Sequence, residues 1–342
     1  MSTAPAGPVR PGADGKAVTG MGTARAWNVL APNPSPMTLD GTNTWVIAEP
    51  GATAAVVVDP GPDDEEHLRR VLDAARAGDR HVAQVVLTHG HLDHSAGAAR
   101  FAELSGAPVA ALDPAHRLGS AGFTAGAVLN VAGCELRVVA TPGHTADSLS
   151  LLLTADGALL TGDTVLGRGT TVIAADGSLG DYLRTLDELR SLAEDAGLRV
   201  LLPGHGPLLR DPAGVLDYYI AHRRERLDQV RAAVAAGART PGEVVAIVYA
   251  DVDRSLWPAA ELSVRAQLDY LGGVLTGALA QPLLVEDQHR AGGDLQPAPS
   301  GEVCERLVDR LPRGADQLRE LLLRQVVVHV QAVGLLVAEA LR

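Results

Sequence analysis

His89-Gly90-His91-Leu92-Asp93-His94 comes just after the largely apolar run 82–87, and its reading decides the fold. It puts three imidazoles and one carboxylate within six positions. That is too dense a set of donor groups for ordinary packing. Borderline-soft divalent cations prefer imidazole and carboxylate ligands, and zinc is the commonest such ion. The stretch therefore reads as the core of a two-metal hydrolytic site whose other donors must come from elsewhere in the chain.

Three further candidates occupy similar settings. His144 lies in Thr141-Pro142-Gly143-His144-Thr145, Asp163 in Thr161-Gly162-Asp163-Thr164, and His205 in Pro203-Gly204-His205-Gly206-Pro207. They follow the apolar runs 136–140, 158–160 and 200–202. Short apolar runs bounded by Gly and Pro predict buried strands. Each candidate thus falls in a loop just past a strand, where a rigid scaffold can aim distant residues at one point.

The set His89, His91, Asp93, His94, His144, Asp163 and His205 resembles the metallo-β-lactamase superfamily over about residues 25–210. The resemblance implies a four-layer αβ/βα sandwich. True lactamases of this type usually carry a cysteine ligand. Here Cys134 falls inside a predicted strand and Cys304 near the C-terminus, so neither suits that role. Asp163 looks like the bridging carboxylate of the hydrolase branch, as in hydroxyacylglutathione hydrolases, ribonuclease Z-like enzymes and lactonases. Flavodiiron proteins have a glutamate in place of the second histidine, so His91 argues for zinc over iron.

The match implies two zinc ions per chain. His89, His91 and His144 would hold the first, Asp93, His94 and His205 the second, and Asp163 would bridge both. Two ions roughly 3.5–4 Å apart would clamp a hydroxide and stabilise entering and leaving oxygens. Zinc can lower the pKa of bound water to about 7, so no Ser or Cys nucleophile is needed. Asp93 and Asp163 are the carboxylates expected to be essential to catalysis. Asp59, in Val56-Val57-Val58-Asp59-Pro60-Gly61, reads equally as a carboxylate orienting a ligating histidine and as a turn former. Asn43, Thr145 and Tyr182 are candidates for the pocket lining, although polar residues at loop ends more often satisfy backbone groups.

Composition bounds the rest. The 342 residues allow one large domain and a small one, and 46% hydrophobic residues with only 3% aromatics predict an aliphatic core. Two cysteines make no disulfide framework and fit a reducing compartment. Residues 1–25 are rich in Gly, Ala and Pro without an apolar centre, and read as a disordered leader rather than a secretory signal. The late apolar run 326–338, interrupted by His329 and Gln331, is shorter than the roughly 20 residues a membrane span needs. A cytoplasmic protein without a membrane partner is expected. The net charge of -12 gives no general attraction to nucleic acid. The basic cluster His222-Arg223-Arg224-Glu225-Arg226 reads first as a solvated helix face, with Glu225 and Asp228 as partners.

Residues 26–210 alternate strands with helical segments, including 65–76 and 180–196, and form the catalytic domain. Asp211-Pro212 starts a helix running to about Ala236. Thr240-Pro241-Gly242-Glu243 is a capping-box signature. A second helix follows Trp257-Pro258 through Leu262, Val264, Leu268, Leu271 and Leu275, and 279–286 is a candidate β-wing. Residues 211–286 thus outline a linking helix and a winged-helix-like domain. With Asn33-Pro34-Ser35-Pro36-Met37-Thr38-Leu39-Asp40-Gly41-Thr42-Asn43-Thr44-Trp45, this unit is similar to the beta-lactamase-like protein two group over about 26–286. Residues 287–342 are a linker and an amphipathic helix with a stripe from Leu318 to Val337, suited to docking or homodimer formation.

Animal members of that group are similar to endoribonucleases cutting single-stranded RNA, and fungal relatives to thioesterases releasing polyketides from carrier proteins. Both bonds place negative charge on an oxygen that zinc can neutralise. The resemblance favours single-stranded RNA, with a small-molecule acyl or polyketide thioester as the alternative. The interval between Asp163 and His205 is too short for the inserted domain of the β-CASP branch, and no basic arm like that of ribonuclease Z is visible. A non-catalytic metal-binding scaffold is the reading from another class, and seven filled ligand positions argue against it.

Overall fold

A computed structural model describes residues 20–286. Most of the 1–25 leader and the whole 287–342 tail lie outside the described residues, as does the homodimer reading that rests on that tail. The described chain starts ahead of Ala26, and its first residues are tied down. Thr23 Oγ1 donates to Asp156 Oδ2 at 2.5 Å, and Arg25 forms ion pairs with Asp156 and Glu49.

The first sheet contains β1 (Ala26–Leu30), β2 (Asn43–Ile47), β3 (Ala54–Val58), β4 (His81–Val86) and β5 (Val109–Ala110), in that spatial order. β1, β2 and β3 pair antiparallel, while β3, β4 and β5 pair parallel. Parallel neighbours need crossovers. α1 (Glu65–Arg76) joins β3 to β4, and α2 (Leu92–Ser95) and α3 (Ala98–Ser105) join β4 to β5. The second sheet contains β6 (Val128–Val131), β7 (Cys134–Ala140), β8 (Leu149–Leu153), β9 (Ala158–Gly162), β10 (Val200–Pro203) and β11 (Leu209–Arg210), ordered 11-10-9-8-7-6. Its one parallel pair, β9 and β10, is bridged by α4 (Leu179–Asp195).

The expected mixed α/β sandwich is thus present as two sheets with helices. α1 shows how the sequence builds it. Asp64 caps the helix by accepting from His67 N, Glu65 and Glu66 sit in the first turn, and Arg76 sits in the last. His67, Leu68, Val71, Leu72 and Ala75 bury one stripe. Both sheets then share one aliphatic cluster, in which Ile47, Val57, Val85, Leu136, Leu151 and Leu160 are all 1% exposed or less. At the end of the sheets where the candidate ligands lie, hydrogen bonds join the two. Asn43 N donates to Gly204 O at 2.7 Å, Leu149 N to Thr88 O at 2.9 Å, and the indole of Trp45 to Pro203 O at 3.1 Å.

α5 (Pro212–Ala235), α6 (Pro241–Val248) and α7 (Trp257–Glu286) complete the described elements. The chain divides into two compact units after Arg224, within α5. In the second unit the capping box forms as the sequence predicts. Thr240 Oγ1 accepts from Glu243 N, and Glu243 accepts from Thr240 N at 3.0 Å. Two expectations are corrected. Residues 279–286 are not a β-wing but the last turns of α7, where Ala278, Leu279, Ala280 and Gln281 favour continued helix. The basic cluster is not one solvated face. Arg223 is 3% exposed and stacks on Tyr182, and Arg226 stacks on Tyr249 while donating to Val248 O. A guanidinium plane can lie on an aromatic face, so these side chains pack inward where lysines would stay in water. Among the described residues no helix is long and apolar enough to cross a membrane.

Candidate metal centre

Four strand ends deliver the donors. His89 lies just past β4, and the turn into α2 supplies His91, Asp93 and His94. His144 follows β7, Asp163 follows β9 directly, and His205 follows β10. Two glycines make the convergence possible. Gly143 has φ of 139°, and a Cβ there would stand 2.4 Å from Tyr182 Cα. A Cβ on Gly204 would stand 2.6 Å from Asp163 Oδ1 and 2.8 Å from His94 Cε1.

All seven sequence-predicted donors meet at this point, in overlapping groups. Donor atoms of His89, His91 and His144 lie within 4.8 Å of one another, as do those of His89, His94 and Asp163, and those of Asp93, His94 and His205. His91 Nδ1 is 3.1 Å from both His89 Nε2 and His144 Nε2, and His94 Nε2 is 3.2 Å from His205 Nε2. His205 Nε2 is 3.1 Å from Asp93 Oδ2 and 3.3 Å from Asp163 Oδ2. Four nitrogens about 2.0–2.1 Å from a tetrahedral zinc would be about 3.3 Å apart. The observed spacings are those of ligands around a common cation.

Hydrogen bonds behind the donors say which atoms face inward. Thr88 Oγ1 gives its proton to Asp59 Oδ2 at 2.7 Å, so it accepts from His89 Nδ1 at 3.0 Å. His144 Nδ1 donates to Val172 O at 2.6 Å, His94 Nδ1 to Asp59 Oδ2 at 2.9 Å, and His205 Nδ1 to Gly41 O at 3.3 Å. Each of these rings therefore presents its Nε2 lone pair to the centre. Lone pairs aimed at one another at such spacing repel unless a proton or a cation lies between them. Asp163 Oδ1 is buried and accepts no hydrogen bond. These residues fit a divalent metal.

The electrostatics lead to the same conclusion. Burial, with His94 close by, pushes His89 well below the ordinary histidine range, and burial likewise lowers His144. Both keep open lone pairs. Burial opposes charge on His94 and His205 too, but carboxylates outweigh it. Asp163 and Asp59 hold His94 well above the ordinary range, and Asp163 with Asp93 pushes His205 up to about 9. Asp93 and Asp163 stay well below the usual carboxylate range against their burial, because His205 and His94 lie beside them. The centre attracts positive charge, which is the first requirement of a cation site.

Asp59 has a clear place. Its backbone is left-handed, with φ of 52°, and its carboxylate accepts from Thr88 N, Thr88 Oγ1 and His94 Nδ1. The three pocket-lining candidates are buried in the scaffold. Asn43 Nδ2 donates to Pro203 O and Gly206 O, Thr145 pairs with Ser148, and Tyr182 OH donates to Thr164 O at 2.6 Å. Sequence reasoning missed Thr88, Thr42 and Thr171. Thr42 Oγ1 donates to Asp93 Oδ2 at 3.3 Å, and Thr171 Oγ1 to Asp163 O at 2.7 Å. Position 88, between an apolar run and a histidine cluster, carried the only available hint.

The comparisons with known proteins agree with this geometry. The sequence model of the Metallo-beta-lactamase superfamily matches residues 37–205, and that of the Beta-lactamase associated winged helix domain matches 240–271. The Beta-lactamase-like protein 2 homolog of Drosophila melanogaster is 30% identical over 273 residues, covering 73% of this chain and 88% of that protein. The Atrochrysone carboxyl ACP thioesterase of Aspergillus fumigatus is 31% identical over 244 residues, covering 66% of this chain and 73% of that protein. A Beta-lactamase domain protein from Burkholderia ambifaria shares the fold with a TM-score of 0.64 at 23% identity, over 78% of this chain and 91% of that one.

Proposed function

Since this chain belongs to the metallo-beta-lactamase superfamily, we propose that it is a dinuclear zinc hydrolase acting on an acyl thioester. The observation that carries this reading is the convergence of seven donors with their lone pairs turned inward. His89, His91 and His144 would hold one ion, Asp93, His94 and His205 the other, and Asp163 would serve both. When bound, zinc ions supply Lewis acidity and bring water to hydroxide near neutral pH. The chain's own part is orientation. Asp59, Thr88, Val172 O and Gly41 O fix the four rings, and Thr42 fixes Asp93, the most solvent-exposed of the three carboxylates at 29%. Buried walls of Thr88, His89, His94 and His205 limit water to the open side, where Asp93 stands.

The segments flanking the ligands bear on the bond attacked. Asp113, His116 and Asp147 bring donor atoms within 4.8 Å of one another, and a Cβ on Gly90 would meet His116 Nε2, which places this group beside the His89–His91 turn. Asp176 accepts from Ala146 N in the loop after His144. Arg168 is paired with Asp40, and Arg117 donates to the carbonyls of Ala111, Leu112 and Ala121. An acidic surround opposes a polyanion, whereas RNA binding draws most of its affinity from cationic contacts to phosphates. Leu92, 77% exposed beside Asp93, offers an apolar contact to an acyl chain. The relative named as a carboxyl ACP thioesterase supports the same bond. Cytoplasmic residence belongs to this reading as well.

One paired assay tests it. Wild type and Asp163→Ala are given a labelled single-stranded RNA and an acyl thioester, with free thiol and RNA fragments as readouts. Thioester hydrolysis by wild type alone is expected. RNA cleavage without thioester hydrolysis would replace the substrate. Zinc bound with neither reaction would favour a scaffold.

A further inference from the structure

The bridging carboxylate and the carbonyl that orients His144 belong to one segment. Asp163 opens it and Val172, whose carbonyl accepts from His144 Nδ1, closes it. The segment has little regular structure of its own between β9 and α4. Side chains from two helices hold it instead. From α4, Tyr182 OH donates to Thr164 O at 2.6 Å. From α5, the hydroxyl of Tyr219 accepts from Leu166 N at 2.9 Å and faces Leu166 O and Gly169 O at 3.2 and 3.1 Å. Arg223, four residues on and on the same helix face, donates to Thr171 O. Thr171 passes the restraint back, since its Oγ1 donates to Asp163 O at 2.7 Å.

The three side chains are themselves one packed unit. The guanidinium of Arg223 lies 4.8 Å over the ring of Tyr182. Tyr182, Tyr219 and Arg223 are 0%, 2% and 3% exposed. Arg223 Nε has no hydrogen-bond partner, and no ion pair to Arg223 is present among the described residues. Burying a guanidinium without a carboxylate to offset its lost hydration is costly. Stability alone is thus a poor reason for an arginine here, whereas a rigid, planar donor aimed at the peptide before Val172 is a good one.

We propose that Tyr182, Tyr219 and Arg223 form a clamp that positions the 163–172 segment, and through it both Asp163 and His144, for metal binding. They are positioning residues and touch neither substrate nor metal. The inference rests on the reading of the seven donors as a metal centre, and the test separates the two.

Full-length wild type, Tyr219→Phe and Arg223→Gln are stripped with a chelator and titrated with cobalt(II), following the visible absorption of the bound ion. The melting point of each metal-free protein is measured alongside. Both variants should bind cobalt about 10–100-fold more weakly, the usual effect of losing a partner behind the ligands, with an altered absorption band. In the zinc-loaded forms kcat should fall with KM unchanged. If the variants melt lower but bind cobalt with the wild-type affinity and spectrum, their role is only structural and the clamp is refuted. Should Arg223→Gln fail to fold, Tyr219→Phe decides alone by the same readings. A wild type that takes up no cobalt fails the metal-centre reading itself, and the clamp with it.

Discussion

Gly204 shows how closely single residues are fitted around the centre. Its missing side chain is space already taken by Asp163 and His94. Gly204→Ala would force the Asp163 carboxylate away from the histidines. Most bound zinc should be lost by elemental analysis while the circular dichroism spectrum stays native. Full zinc retention would mean that the 203–207 loop yields instead. Asp59 tests the opposite side of the same histidine. Asp59→Ala removes the acceptor for His94 Nδ1 and for both donors of Thr88. Zinc affinity, measured by competition with a chelating dye, should fall about 10–100-fold. An unchanged affinity would show that the Asp59 carboxylate orients nothing. At this scale the donors were legible because metal-ligating residue types stood in loops after apolar runs. Thr88, Thr171 and the carbonyls of Gly41 and Val172 were not, because threonine and the main chain occur everywhere and only the fold selects them.

Among the elements, α1 carries a titratable group in its buried stripe. His67 is 0% exposed, and its Nε2 lies 3.1 Å from Thr44 Oγ1. Burial, with Arg70 beside it, pushes His67 down to about 4 from 6.5. The unfolded chain therefore takes up a proton at a higher pH than the folded one. The contribution to stability is whole above pH 6.5 and disappears as pH falls toward 4. It amounts to about 3 kcal/mol across that window. Urea denaturation of wild type and His67→Gln at pH 7 and pH 4 should show the wild type losing about that much more. Parallel losses in the two proteins would mean that His67 titrates normally. α1 itself was readable to its ends, because cap, charge and apolar stripe agree over Glu65–Arg76. The 279–286 segment was misread because a short apolar run does not distinguish strand from helix. Arg223 was misread because its neighbours are charged, while the aromatic face that covers it comes from a helix about forty residues earlier.

For the molecule as a whole, the order of both sheets could not be read from the chain, since strand neighbours are set by crossovers and by the shared aliphatic core. What the sequence did disclose was that ligands arrive from loops far apart along the chain, and this has a thermodynamic consequence. Cations held by His89, His91 and His144 and by Asp93, His94 and His205, with Asp163 serving both, would join segments of both sheets and bind only when they are assembled. Binding to the folded state alone adds RT ln(1 + [L]/Kd), about 2.7 kcal/mol at a hundredfold excess over Kd. Hydrogen exchange of the full chain with zinc and with chelator should locate that gain. Amides of 88–94, 144–145, 162–172 and 203–206 should exchange more slowly with zinc, as should the strands behind them. Amides of 241–248 belong to the other compact unit, which supplies none of the seven donors, so their exchange should not change. Slowing confined to 88–94 would mean that the ion sits on that motif alone and that His144, Asp163 and His205 take no part. Equal slowing along the entire chain would mean that zinc acts on global stability without a site shared between the two sheets.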